Sequence, residues 1–157
     1  MTDLNVGDTA PDFTLPSTQG ERLLADYSGR YLVLYFYPRD DTSGCTSEAK
    51  DFTALKDEFD QYGADILGVS KDSLEKHEKF IKKHDLGIAL GSDEHGSLIE
   101  DYGKWVEKNM YGRKFMGIQR ASFLIDPSGQ LAHIWPKVRV KGHAQAVLDT
   151  LKNLSQT

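Results

Sequence analysis

The chain has 157 residues, 39% hydrophobic and 27% charged, with a formal net charge of −5. That balance suits one globular domain over residues 1–157, long enough to bury a core. Charges of both signs are interspersed and the one basic patch, KVRVK at 137–141, is short, which argues against nucleic acid as a partner, since phosphate binding needs a clustered basic surface.

No run approaches the roughly 18 consecutive apolar residues that span a bilayer, so no membrane association is expected. The polar, acidic start MTDLNVGDTAPDF does not read as a secretory signal. A single cysteine makes no internal disulfide. Together these features point to the cytoplasm.

In chain order, APDFTLP at 10–16 suits a short strand between prolines. YLVLYFY at 31–37 is continuously apolar and reads as a strand buried on both faces, stopped by Pro38. From Thr46 to Tyr62 the apolar residues Ala49, Phe52, Leu55, Phe59 and Tyr62 recur at helical spacing. ADILGVS at 64–70 is a second strand, and Leu74 to His84 a second helix. Ile88 to Gly91 is a third strand, followed by a short helix around Ser97–Tyr102. ASFLID at 121–126 and Gln130 to Trp135 form a hairpin across Pro127-Ser128-Gly129, and a last helix runs from about Ala144 to Leu154. Strands alternating with helices predict an α/β domain with a central mixed sheet.

The lone cysteine, Cys45, falls in DDTSGCTSEA at 40–49, between the first buried strand and the first long helix. In parallel sheets, chemistry gathers where strand carboxyl ends meet helix amino ends. With Thr42 or Ser43 as N-cap, Cys45 lies in the first helical turn, where unpaired backbone N–H groups and the positive end of the dipole favour an anion. The thiolate is the nucleophilic form of cysteine. The Thr42 hydroxyl is placed to donate to the sulfur, and Gly44 permits close approach. Arg39, Arg113 and Arg120 are all candidate cations, and spacing does not choose among them. Asp40, Asp41 and Glu48 disfavour a nearby thiolate and are expected to face solvent, cap N–H groups or pair with an arginine.

A lone cysteine is more often a small buried hydrophobe than a reactive group, but the polar neighbours of Cys45 favour function. The five histidines, at 77, 84, 95, 133 and 143, form no tight ligand pair, and no metal or other cofactor is expected. His143 reads as the start of the last helix. A Cys–His dyad is a weak alternative. Gly-rich phosphate loops are absent.

Pro38-Arg-Asp-Asp-Thr42-Ser-Gly-Cys45 matches the PxxxTxxC pattern of peroxiredoxins. GDTAPDFTL (7–15), GADILGVSKDS (63–73), GIQRASFLIDPSG (117–129) and VKGHA (140–144) extend the match, and the chain resembles the bacterioferritin comigratory protein/PrxQ subfamily along nearly its whole length. The resemblance implies a thioredoxin-like fold and a thiol-dependent peroxidase acting on hydrogen peroxide and organic hydroperoxides. By position, Cys45 corresponds to the peroxidatic cysteine, Thr42 to the threonine contacting sulfur and peroxide, Pro38 to the proline shielding the thiolate, and Arg120 to the distal arginine. Two departures stand out. Ser43 replaces the proline of most relatives, and Lys50 stands where many carry a second, resolving cysteine. An intramolecular disulfide is impossible, so an external thiol (thioredoxin, glutaredoxin or glutathione) must reduce the sulfenic acid. The subfamily leans toward a monomer or weak dimer. The alternatives are a thioredoxin-like binding or chaperone module, and a dithiol oxidoreductase, which Thr42 disfavours by standing where a CxxC pair needs its first cysteine.

Overall fold

In the computed structural model, residues 4–155 are described. The elements are β1 (Thr14–Leu15), β2 (Arg22–Leu23), a 3-10 turn (Leu24–Tyr27), β3 (Tyr31–Phe36), α1 (Ser43–Gln61), β4 (Ala64–Ser70), α2 (Leu74–His84), β5 (Ala89–Ser92), α3 (Ser97–Asp101), β6 (Trp105–Met110), β7 (Arg113–Ile118), β8 (Ala121–Ile125), β9 (Leu131–Trp135) and α4 (His143–Ser155). Five strands build the central sheet in the order β5-β4-β3-β8-β9. β3, β4 and β5 run parallel, and β8 and β9 add antiparallel strands. This is the mixed sheet flanked by helices that the sequence predicts, in the thioredoxin-like arrangement.

β3 sits at the sheet's centre because its side chains have apolar partners on both faces. Leu32, Leu34 and Phe36 enter one core with Leu98, Ile99 and Phe123. Val33, Tyr35 and Tyr37 enter the other with Phe52 and Phe59 of α1 and Val147, Leu148 and Leu151 of α4. The alternation follows the strand's period of two. The Tyr37 N–H still donates to Val69 O at 3.1 Å, and Pro38, without an N–H, ends the pairing.

The sequence places β4 and α2 at their observed limits. It misses the hairpin β6–β7, which forms a two-stranded sheet apart from the central one. Its turn, Tyr111-Gly112, has positive φ at both residues, +54 and +79, as a tight hairpin turn requires. Tyrosine is an unusual residue for that conformation, so the turn carries no Asn-Gly or Asp-Gly signature. α1 begins at Ser43, three residues before the apolar periodicity that announces it, because its first turn is polar.

Candidate active site

Cys45 is the third residue of α1 and is buried, packed with Val33, Tyr35, Ala49 and Phe52. The first bond within the helix runs from the Thr46 N–H to Thr42 O at 2.9 Å. The amides of Ser43, Gly44 and Cys45 precede it and have no intrahelical partner. Thr42 occupies the N-cap position with extended backbone, yet its side chain makes no cap bond. The Thr42 hydroxyl donates instead to Arg39 O at 3.0 Å, correcting the expectation that it donates to the sulfur. One hydroxyl carries one hydrogen, and here the turn's own carbonyl takes it.

Of the three candidate arginines, Arg120 reaches the site, 75 residues away in sequence; its Nη2 donates to Cys45 Sγ at 3.3 Å. It lies between β7 and β8, immediately before the strand that pairs with β3. Gly44 eases the approach, since a Cβ there would stand 3.3 Å from Nη2 and push the guanidinium back by a few tenths of an ångström. Arg39 is exposed and Arg113 lies at the exposed turn end of β7. Pro38 is half-buried at the end of β3.

Glu48, one helical turn past Cys45, is 1% exposed and accepts from Arg120 Nη1 at 2.6 Å. Its pairing with an arginine was one of the anticipated outcomes, but its burial was not foreseen. Burial pushes its carboxyl up to about 7, against the pull of Arg120. Arg120 is pushed above its ordinary value, with burial opposing the cation and the charges of Glu48 and Cys45 outweighing that opposition. The two shifts favour opposite charge states of one pair. The firmer is Arg120 as a cation, because it is bonded on two sides, whereas Glu48 Oε2 is buried without a partner. Tyr35 Oη is likewise buried and unpaired. Its ring sits over Gly68, where a Cβ would stand 2.6 Å from it. Neither Tyr35 nor Glu48 was singled out as a site residue. An acid three residues after the cysteine of a proline–threonine–cysteine turn, on the apolar stripe of a helix, is the signal that marks Glu48.

A second polar cluster lies on the other side of the turn. His77, wholly buried, faces Asp40 Oδ2 with Nδ1 at 2.7 Å and Gly91 O with Nε2 at 2.9 Å. Tyr37 Oη donates to Asp40 Oδ1 at 2.6 Å. The Asp40 N–H donates to Asp72 Oδ2 at 2.8 Å, and so does Ser70 Oγ, at 2.7 Å. Asp40, Asp72 and His77 thus bring three potential metal-binding atoms within 4.8 Å of one another. A ligating imidazole must offer a free lone pair, and both His77 nitrogens already lie in hydrogen bonds with oxygen atoms, so the trio does not fit a cation. Asp41 pairs with Lys83 at 2.7 Å and with His84 at 2.8 Å. The turn bearing Cys45 is therefore fastened to α2 through Asp40 and Asp41.

His143 begins α4, as the sequence indicates, and its Nε2 meets Ser122 Oγ at 2.7 Å. Burial, aided by the charge of Arg120, lowers its pKa to about 4. No helix among the described residues is long and apolar enough to cross a membrane.

The AhpC/TSA family model matches residues 6–134. Peroxiredoxin Bcp of Bacillus subtilis is 46% identical over 154 residues, spanning 98% of each chain. A putative peroxiredoxin bcp of Coxiella burnetii is 45% identical over 149 residues, 94% of this chain and 99% of its own. Among solved structures, Xanthomonas campestris peroxiredoxin Q superposes with a TM-score of 0.88 at 44% identity over 97% of both chains. The C47S mutant of Xylella fastidiosa PrxQ gives 0.93 at 36% identity over 99% of both. A further Xanthomonas campestris structure, of bacterioferritin comigratory protein, concerns alkyl peroxide reduction. With a buried thiol held against a guanidinium at a helix's leading end and full-length relatives of this kind, the chain belongs to the AhpC/TSA family, among the peroxiredoxins of the Bcp/PrxQ type.

Proposed function

We propose that this thiol-dependent peroxidase reduces hydrogen peroxide and organic hydroperoxides at Cys45, using no second cysteine of its own. The observation that carries the reading is the 3.3 Å approach of Arg120 Nη2 to Cys45 Sγ beside the amides of Ser43, Gly44 and Cys45. The thiolate attacks the terminal oxygen of ROOH, the O–O bond breaks, and the sulfur keeps one oxygen. RO⁻ leaves and takes a proton, giving Cys45–SOH and ROH. Charge moves from sulfur to the leaving oxygen during this step. A guanidinium and free backbone amides already aimed at that space stabilise it without reorganising.

Pro38 limits water beside the sulfur, and Thr42 closes the turn. For the Thr42 hydroxyl to contact a bound peroxide, its hydrogen must leave Arg39 O, a rotation about one side-chain bond. Cys45–SOH is the reversible rung of thiol oxidation. It condenses with an external thiol R′SH to a mixed disulfide and water, and a second thiol releases Cys45–SH and the oxidised reductant. No other cysteine exists in the chain to take that part. Cys45→Ser is expected to abolish peroxide consumption with the fold intact. Mass spectrometry after one equivalent of peroxide is expected to find one added oxygen on Cys45, or an adduct there when a thiol is present. Peroxide consumption that persists in the serine variant overturns the reading, and a wild type that consumes no peroxide favours a binding or chaperone module without peroxidase activity.

A further inference from the structure

Four of the six exposed large apolar side chains among the described residues, Met110, Tyr111, Phe115 and Met116, belong to the β6–β7 hairpin. Directly paired residues of an antiparallel ladder share a face. The pairs Val106–Gly117, Lys108–Phe115 and Met110–Arg113 therefore give one face with three apolar side chains, two cations and no acid. The Lys108 side chain crosses that face over Gly117, 3.3 Å from a Cβ placed there; burial lowers its pKa, the charge of Arg120 acts the same way, and Cys45 opposes both.

A second basic segment borders the same site. The Val138 N–H donates to Arg120 O at 3.0 Å, and Val140 Cγ2 lies 4.0 Å from a Cβ at Gly44. Lys137, Arg139 and Lys141 of that segment are exposed. In a chain of net charge −5, both stretches flanking Arg120 are cationic on their open sides.

We propose that this face of the hairpin, with the 137–141 segment, is the surface on which an acidic dithiol protein docks to reduce Cys45–SOH. The inference rests on the reading of Cys45 as a peroxidatic thiol with no internal partner. The thiol that resolves Cys45–SOH must come to the sulfur, so its carrier covers the rim described here. Charge complementarity selects an acidic carrier. Size selects a protein: six residues of strand span about 20 Å, so one partner touching both the sulfur and the 98%-exposed Tyr111 has the reach of a protein interface. One thiol of the pair condenses with Cys45–SOH to give a mixed disulfide and water. The other attacks that disulfide, returning Cys45–SH and leaving the partner's disulfide.

The test follows peroxide turnover driven by reduced thioredoxin (an acidic dithiol protein), by glutathione and by dithiothreitol, in the wild type, Arg139→Glu and the double variant Met110→Asp/Arg113→Glu. With thioredoxin, kcat/KM is expected to fall roughly ten-fold in the variants, and the wild-type value to fall with added salt. Turnover with dithiothreitol and with glutathione, and the rate of Cys45 oxidation by peroxide, are expected to stay unchanged. Wild-type behaviour of the variants with thioredoxin overturns the surface. So does an equal loss with dithiothreitol, a loss confined to glutathione, which would make a small anionic thiol the occupant, or failure of thioredoxin on a wild type that dithiothreitol sustains. A wild type that no thiol sustains overturns the peroxidase reading instead.

Discussion

Two buried polar clusters flank the turn between β3 and α1, and they differ in what they leave unsatisfied. On one side, Asp40, His77, Asp72, Tyr37 and Ser70 join their polar atoms to one another and to Gly91 O. On the other, Cys45, Arg120 and Glu48 leave Glu48 Oε2, Tyr35 Oη and three helix amides without partners. A saturated cluster fixes geometry and has nothing left to offer a ligand. An unsaturated one retains donors and a cation for charge that appears only during reaction. The same turn is thus held from one side and kept reactive on the other.

The largest expected effect that would break this division is at Arg120. Arg120→Ala removes the cation beside Sγ, and the rate constant for peroxide is expected to drop about 10²–10³-fold, the usual consequence of losing one preorganised donor, read by stopped-flow. A drop under three-fold would place the reactive capacity elsewhere. Next is Asp40→Ala, which leaves wholly buried His77 facing an empty space. Leaving a buried polar group without its partner costs about 1–3 kcal/mol, so thermal or denaturant unfolding is expected to register the change. The peroxide rate of the remaining folded protein should fall less than in Arg120→Ala. If its chemistry suffers more than its stability, the two clusters are not separable.

Glu48→Gln sharpens the comparison through pH. Glu48 is raised to about 7, so its contribution to stability is full below the unfolded value near 4.3 and is lost as pH rises through about 7. The glutamine variant lacks that loss, and its melting temperature relative to wild type is expected to be higher at pH 8 than at pH 5. The reverse order would mean Arg120 holds the carboxylate charged. His143, lowered to about 4 by burial, has its own slope, with stability present above about 6.5 and lost as pH falls through 4, and it is common to both proteins. Thr42→Val is the smallest change. Its hydroxyl bonds only to Arg39 O on an exposed turn, so stability should shift by about 1 kcal/mol. A clear fall in peroxide rate with little change in melting temperature would show that the hydroxyl turns toward substrate.

Some of this was legible in the chain because it is local. YLVLYFY announces a strand buried on both faces, Pro38 its end, and small polar residues the start of a helix with Cys45 in its first turn. β4 and α2 were readable in full for the same reason. The β6–β7 hairpin was not, because its exposed strands lack a clean alternation and its turn uses Tyr111 at positive φ. The Thr42 hydroxyl misled because a backbone carbonyl three residues back competes for its single hydrogen.

The sequence by itself determined that a lone thiol would stand at a helix's leading end behind a buried strand, since turn chemistry and periodicity act over a few residues. Spacing left the cation open and the family resemblance pointed to Arg120; only the tertiary structure brings that cation onto the sulfur and buries Glu48 against it. β3 must pair with β8 before Arg120, 75 positions from Cys45, comes within 3.3 Å of the sulfur. Residue spacing along a chain carries no term for that pairing.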